Sequence, residues 1–531
     1  MIASRRLLAI VPLLLSACIS PTEPRTIVPV TPSLTAFALE AARNPALSAD
    51  VVASISGDTV RLAIPEVVAL DSLVPSWITN EAVTLVTLGD SFPVNGLTRV
   101  SLSQDRRIRL TSSTGTEREY VLTVTVFTGL PVVRINTDGG AEVATKTTYV
   151  GATIDVYGGR DHPEWSFNMR TQIRGRGNST WYNPKKPYRL KLATSRSVLG
   201  FPAERDWVLL ANYWDLSLAR NATAFRISSL LGLAFTPRCT PAEFYLNDVH
   251  QGSYQLCDHM EVGAARIPAG ADGWFLELND IRRVDPDEIW FATPEMTEYT
   301  TVGHGDTIPS VWVYKSPDAP SPAQRSAIEG QLLAFEQALY GPNFTDPDSG
   351  YAAHLDAQSL VDWWLVMELS KNNDAAFSFG VYMYRTATGR ITFGPVWDFD
   401  LAFGNYPYDG GPTGFKILVS GYLPRLMEDP AFVALVKQRW QVLYARRAEL
   451  DGFIGTYTAS LQRSQQLTHA LWAPYNPRPL LIAGPDEQAW FTPAVDLRAA
   501  FTDADYDTAV QEMRSWLSAR FDWLQTNILA L

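Results

Sequence analysis

At about residue 130 the chain changes the way it spaces its apolar residues, and that change limits the folds open to it. Upstream, from about 33 to 128, short β-branched runs alternate with turn clusters. Thr84-Leu-Val-Thr-Leu88 and Tyr120-Val-Leu-Thr-Val-Thr-Val-Phe127 are the clearest runs, and Ser56-Gly57-Asp58 and Ser113-Thr114-Gly115 the clearest turns. From Leu130 onward a strand-rich stretch gives way to helical periods. Ser321 followed by Pro322 predicts an N-cap and a first-turn proline, with the helix running to about Leu339 before Gly341-Pro342 stops it. Asp356 predicts a second cap, ahead of a buried face made by Leu360, Trp363, Trp364 and Met367. Pro430 to Phe453 and Ala509 to Leu531 are helical in period as well. No single layer architecture holds both patterns, so the 531 residues divide into an all-β domain and one much larger α+β domain spanning 130–531. With 46% hydrophobic and 19% charged residues, wholesale disorder is excluded. The sequence shows no internal repeat, no heptad run and no transmembrane helix.

Residues 33–128 fit an immunoglobulin-like β-sandwich. No cysteine falls within it, so it rests on apolar packing alone. Its loops carry no constellation of acids, histidines or thiols, which makes it a spacer, with carbohydrate binding as the competing reading. Ahead of it, residues 18–32 include four prolines between Pro21 and Pro32 and read as an extended tether. Arg5 and Arg6 precede an apolar run, Leu7 to Leu15, that is shorter than the ~20 residues of a spanning helix and has the length of a signal-peptide core. It ends in Leu15-Ser16-Ala17-Cys18, which resembles a bacterial lipobox. That resemblance implies a signal peptide over residues 1–17 and lipidation of Cys18. No Asp retention signal follows, since Ile19 and Ser20 stand there. The expected address is therefore the bacterial cell envelope, at the outer rather than the inner membrane, held by the lipid anchor only.

Export leaves Cys239 and Cys257 as an even pair in an oxidising compartment. The residues between them read as two short strands around an Asn247-Asp248 turn, a hairpin that would bring the thiols together as a disulfide. Two separate buried thiols are the other reading.

The formal net charge of −12, from 56 acidic and 44 basic residues, argues against a nucleic-acid partner. Against that background nine basic residues crowd between Arg160 and Arg196, which points to an anionic ligand. Within this segment, Ile173-Arg-Gly-Arg-Gly-Asn-Ser-Thr-Trp181 combines two glycines that permit close backbone approach with donors on Arg174, Arg176 and Asn178, a set suited to phosphate. Lys185-Lys-Pro-Tyr-Arg-Leu-Lys-Leu192 follows as a strand with Arg189 and Lys191 on one face. A solvated hairpin edge protected by lysines satisfies the same pattern.

An acidic constellation lies downstream. Two short strands, Val381-Tyr-Met-Tyr384 and the run from Ile391, would form a hairpin with Asp374 before it and Asp398 and Asp400 after it. Asp398 and Asp400 share a side if that segment is extended, a like-charge pair that calls for a cation or basic neighbours. Pattern alone leaves open whether Mg²⁺ or arginines of the basic segment supply that charge. The six histidines are scattered without helical ligand spacing, which disfavours a zinc hydrolase.

Taken in order, Arg174-Gly-Arg-Gly-Asn-Ser-Thr-Trp181, Lys185-Lys-Pro-Tyr-Arg-Leu-Lys191, Leu209-Leu-Ala-Asn-Tyr-Trp-Asp-Leu-Ser-Leu-Ala-Arg-Asn221 and Trp397-Asp-Phe-Asp-Leu-Ala-Phe-Gly404 resemble the spore-coat protein H (CotH) kinase-like family. The resemblance covers about 130–531 and implies an atypical protein-kinase-like fold that binds ATP with Mg²⁺, Mn²⁺ being the alternative ion. Carried over, Asp374 is the catalytic aspartate, Asp398 the metal-binding aspartate and Asp400 a second carboxylate. Arg174, Arg176 and Asn178 lie over the phosphates, with Lys191, or else Lys186, paired to them. Asp215, Arg220 and Asn221 belong to the family's next motif, and Glu277 matches a recurrent family acid. Two positions depart from the pattern: Phe377-Ser-Phe-Gly380 stands where the family often has an asparagine, and Asp258 where many members have Glu. Two functions are expected from this. One is phosphate transfer from ATP to a protein serine or other hydroxyl acceptor. The other is a catalytically inactive kinase-like surface protein that binds a protein or glycan partner at the envelope.

Overall fold

A computed structural model describes residues 31–47, 50–65, 68–103, 107–158, 162–296, 298–300, 307–372, 377, 379–406, 409–472 and 503–531. The signal peptide 1–17, Cys18, most of the tether and Asp374 lie outside the described residues. The chain forms two compact units that divide between Phe127 and Thr128.

The first unit is all-β. Its strands are β1 (Leu34–Leu39), β2 (Val51–Val52), β3 (Ser54–Ser56), β4 (Thr59–Pro65), β5 (Pro75–Thr79), β6 (Val83–Leu88), β7 (Arg107–Ser112) and β8 (Glu117–Phe127). They make a three-stranded sheet, β2-β1-β5, and a five-stranded sheet, β3-β4-β8-β7-β6, in which β4 and β8 run parallel. One core joins the two sheets: Phe37 and Leu39 from the smaller pack with Val60, Leu62, Ile64, Ile108, Leu110, Tyr120 and Leu122 from the larger.

The second unit is α+β. It opens with a seven-stranded closed barrel of β9 (Val132–Thr137), β10 (Val150–Tyr157), β11 (Phe167–Gly175), β12 (Tyr188–Arg196), β13 (Glu204–Leu210), β14 (Cys239–Leu246) and β15 (Val249–Asp258), in the order β10-β11-β12-β13-β15-β14-β9. Alternation along the strands sends Ile154, Ile173, Leu190, Leu192, Trp207, Leu209, Phe244 and Leu256 inside. The same alternation turns Arg174, Arg189, Lys191 and Asp206 outward, in cross-strand register Arg174 with Arg189 and Lys191 with Asp206. The β14–β15 hairpin turns at Asn247 and Asp248, both at positive φ, and Cys239 and Cys257 are joined by a disulfide.

A second sheet follows, from β16 (Trp274–Asp280), β17 (Trp290–Phe291), β18 (Glu298–Thr300), β19 (Thr307–Ser316), β20 (Val381–Arg385) and β21 (Thr392–Phe393), in the order β17-β19-β16-β20-β21 with β18 on β19. The eight helices among the described residues are α1 (Arg220–Leu231), α2 (Pro322–Tyr340), α3 (Ala357–Ser370), α4 (Leu423–Leu426), α5 (Pro430–Ala445), α6 (Arg447–Ser460), α7 (Gln462–Leu471) and α8 (Asp503–Leu529). α2 starts with the expected capping box, in which the Ser321 side chain accepts from Gln324 N–H and the Gln324 side chain from Ser321 N–H. Asp356 caps α3 through Ser359 N–H, at 3.2 Å.

α3 differs from the amphipathic helix that its sequence predicts. It packs against α1, α5 and α8, and every residue from Leu360 to Ser370 is buried. The polar ones are tolerated because they are paired. Asp362 meets Arg439 at 2.6 Å. Glu368 accepts N–H bonds from Lys416 (2.7 Å), Ile417 (2.8 Å) and Leu418 (3.0 Å), and Arg520 of α8 lies 2.7 Å from its carboxylate. Among the described residues, no helix is long and apolar enough to cross a membrane.

Candidate functional site

Just after β21 the chain reaches Trp397-Asp-Phe-Asp400, and a network from elsewhere fixes this short segment. Asn221, in the first turn of α1, accepts Phe399 N–H at 2.9 Å on its Oδ1, while its Nδ2 donates to Asn212 at 3.2 Å. Arg220 donates to Ala402 O at 3.1 Å and is itself paired with buried Asp215, which also accepts Ser217 N–H and Oγ–H. Asn372, two residues beyond α3, donates to Asp398 O at 2.8 Å. The Asp215-Arg220-Asn221 motif, whose role the sequence leaves open, therefore acts as a brace for the segment that carries the two aspartates.

Asp398 sits at φ 66°, a left-handed conformation that Asp tolerates better than most residues. Its side chain is exposed to solvent. Desolvation raises its pKa, opposed by the charges of Arg176 and Arg283 and by a side-chain hydrogen bond with Asp400, while Glu277 pushes it further up. Asp400 is itself buried. Two carboxylates within hydrogen-bond reach share a proton or a cation, since two bare anions repel at that distance.

Arg176 faces this pair from the glycine-rich turn after β11. Gly175 lies against the Trp181 ring, where a Cβ would come within 2.3 Å, and Gly177 has φ +83°, so both glycines are required by the turn. The Arg176 guanidinium stands over the Trp397 ring at 5.5 Å, and burial lowers its pKa while Asp398 raises it. Among the described residues no hydrogen bond or ion pair takes this guanidinium.

The remaining members of the basic segment are placed elsewhere. Arg174 donates to Lys146 O and lies over the Tyr149 ring at 5.2 Å, while Lys146 donates to Asn178 at 3.4 Å. Lys186 donates to Trp181 O at 2.8 Å. Lys191 lines a recess of about 300 Å³ on the barrel wall with Gly151, Arg170 and Arg205. Arg189 makes a two-pronged contact with Asp206, at 3.0 and 2.7 Å. Asp258 is bound by two arginines, Arg238 (2.6 Å) and Arg266 (3.2 Å), rather than by a lysine.

Sequence reasoning missed the partners of Glu277, whose charge acts on Asp398. Glu277 on β16 accepts the Tyr382 hydroxyl at 2.9 Å and lies 3.2 Å from Lys315 of β19, whose Nζ is also 2.8 Å from Glu288. Glu277 belongs to the motif comparison, but Lys315 and Tyr382 carry no local signal. Only the pairing of β16 with β19 and β20 brings them together. His259, just past β15, is half-buried, and its pKa is held well below the usual value by desolvation first and then by Arg189, Arg176, Arg266 and Lys315.

The profile of the CotH kinase protein family matches residues 173–524. No curated protein matches the chain. Among solved structures, a provisionally assigned glycoside hydrolase from Bacteroides thetaiotaomicron is similar at 11% identity over 58% of this chain and 89% of its own, with a TM-score of 0.20. At that score it bears on neither fold nor function. The family match spans the glycine-rich turn, the bracing motif and the paired aspartates in one stretch, and on that ground the chain belongs to the CotH kinase protein family.

Proposed function

We propose that the chain is an exported phosphotransferase that moves phosphate from ATP, with Mg²⁺ or Mn²⁺, to a protein serine or another hydroxyl acceptor. The observation that carries this reading is the Asp398–Asp400 carboxylate pair acting on the Arg176 guanidinium, which has no hydrogen bond or ion pair among the described residues. The donor set fits the ligands. Mg²⁺ is commonly held through one or two carboxylates together with substrate phosphate oxygens, and a guanidinium fork matches phosphate geometry. When bound, the metal ion would neutralise charge on those oxygens.

The chain's own residues then have distinct tasks. Asp398 and Asp400 hold the ion, Arg176 takes phosphate oxygens, and Asn221, Arg220 and Asn372 keep the aspartates in place. Asp374, by its position in the family pattern, orients the acceptor hydroxyl. In this reading residues 130–531 are an atypical protein-kinase-like fold, residues 33–128 an immunoglobulin-like sandwich, and Cys18 the lipid anchor at the bacterial outer membrane.

The inactive alternative draws on one feature. Phe377, where the family often has an asparagine nearby, is buried against Trp363, at a ring separation of 5.3 Å, and presents no ligand there. Incubation with radiolabelled ATP and Mg²⁺ or Mn²⁺ decides between the two. The expected result is label on the wild type, with Asp398→Ala losing metal-dependent nucleotide binding. Asp374→Ala should keep binding but lose transfer by about 100-fold or more. Equal labelling of all three, with no nucleotide binding by thermal shift, would rule the kinase reading out in favour of a binding module.

A further inference from the structure

Lys191 stands on the outer face of β12, a strand paired on both sides, to β11 and to β13. The barrel is closed, so β12 has no free edge, and the lysine-protected hairpin edge that fits the sequence pattern does not exist here. The charge needs another use.

The recess of about 300 Å³ that Lys191 lines supplies one. Strand register builds it: Gly151 of β10 lies opposite Gln172 of β11, and Gln172 lies opposite Lys191. Gly151 adds no side chain to this row, which keeps the floor open, and Arg170, Ala193 and Arg205 join the lining. Three of the lining residues are cationic and none is a carboxylate. Their partners differ. Arg170 is neutralised by Asp138 through two contacts of 2.7 Å. Arg205 uses only its Nε, which donates to Leu192 O at 3.1 Å, and its two terminal nitrogens have no partner among the described residues. Lys191 Nζ has none among them either. Two uncompensated cations lining one hollow, in a chain of net charge −12, attract an anion. A guanidinium fork together with an ammonium suits the oxygens of phosphate or carboxylate. The volume lies at the small end of ligand pockets and fits a sugar-sized group better than a nucleotide.

We propose that this recess is a second anion site, separate from the Asp398–Asp400 site, in which Lys191 and Arg205 bind a small dianion, either a phosphate monoester or a dicarboxylate. Arg170, held by Asp138, is a fixed wall, and the exposed Gln172 amide is a further donor. Gln172 precedes Arg176 by four residues, about 13 Å of extended chain, so the two sites are neighbours that share no residue. The inference does not depend on phosphate transfer.

The test is isothermal titration of the full chain, with chelator present and nucleotide absent, using glucose 6-phosphate and, separately, succinate. Wild type should bind at least one of them, and the tighter ligand identifies the acid group that the recess prefers. Lys191→Met and Arg205→Met should each weaken that ligand by about 10-fold or more, as for loss of a charge-assisted hydrogen bond. Ala193→Glu, which sets a carboxylate in the recess, should abolish binding. Arg176→Ala should bind the anion as wild type does. No binding of either anion by wild type overturns the inference, as does binding that survives Lys191→Met and Arg205→Met or is lost with Arg176→Ala. Wild type that binds the anion but not ATP with Mg²⁺ supports the recess and ends the phosphate-transfer reading. Melting curves accompany each variant, and should Lys191→Met or Arg205→Met not fold, Ala193→Glu decides by the same criterion.

Discussion

Glu368 and Arg520 are both fully buried, and each is the other's counter-charge at 2.7 Å. Arg520 also donates to Glu368 O at 2.8 Å, Pro412 O at 3.0 Å and Gly414 O at 2.7 Å, so one guanidinium ties α8 to the end of α3 and to the loop beyond the aspartates. Removing one partner of such a pair leaves an uncompensated buried charge. Arg520→Ala is accordingly expected to cost about 3–5 kcal/mol in chemical denaturation. A loss below about 1 kcal/mol would show that solvent reaches the site. Lys185 offers a second residue-scale test. It is buried in the barrel, donates to Ser253 O at 2.5 Å, and desolvation pushes its pKa down to about 7. Its folded pKa lies below the unfolded one, so between about pH 7 and 10 the unfolded chain binds the extra proton. Stability should therefore rise with pH across that window, with this residue adding up to about 1.4 kcal/mol per pH unit. Urea midpoints of wild type and Lys185→Met over that range measure it, and equal slopes would contradict the shift.

Among the elements, the glycine-rich turn is the most sensitive to substitution. At Gly177 a Cβ would meet the Thr180 hydroxyl at 2.2 Å, in a left-handed conformation that alanine resists. Gly177→Ala should cost roughly 1–2 kcal/mol and weaken nucleotide binding together with stability; intact binding would detach the turn from the site. The hairpin disulfide is the second element-scale test. It spans 18 residues in sequence, and its loss should cost about 3 kcal/mol, read from denaturation with and without reductant.

These elements also show what a sequence displays. Caps, proline starts, the hairpin cysteines and the outward face of β12 follow from local chemistry, and the structure has them where local rules put them. The burial of α3 on all sides was hidden, because Asp362 and Glu368 look like a solvent face until Arg439 and Arg520 arrive from elements far along the chain. The partners of Glu277 were hidden for the same reason. Arg176, Asp398 and Asp400 lie in motifs with a visible spacing, whereas Lys315 and Tyr382 meet Glu277 only through strand order.

For the molecule as a whole, the division at Phe127 has an experimental meaning. Residues 128–531 hold the aspartate pair, its braces and their own core, so this piece alone should melt cooperatively within a few degrees of its transition in the full chain. A non-cooperative transition would show that the upstream unit is needed for folding.

The barrel carries a consequence for how the molecule is made. Strands β9 to β13 pair in chain order except at the two ends, where β9 and β13 each await a partner. The waiting partner is the same object for both: β15 docks on β13, and β14 docks on β9 in parallel, more than a hundred residues after β9 was laid down. Until then the half-built sheet has two open edges, each able to recruit a strand from another molecule. The hairpin closes both in one step, as a keystone closes an arch. Its cross-link therefore bears on time as well as stability, since a hairpin already joined at Cys239 and Cys257 arrives in register and shortens the interval during which newly made chains can pair with one another instead of with themselves.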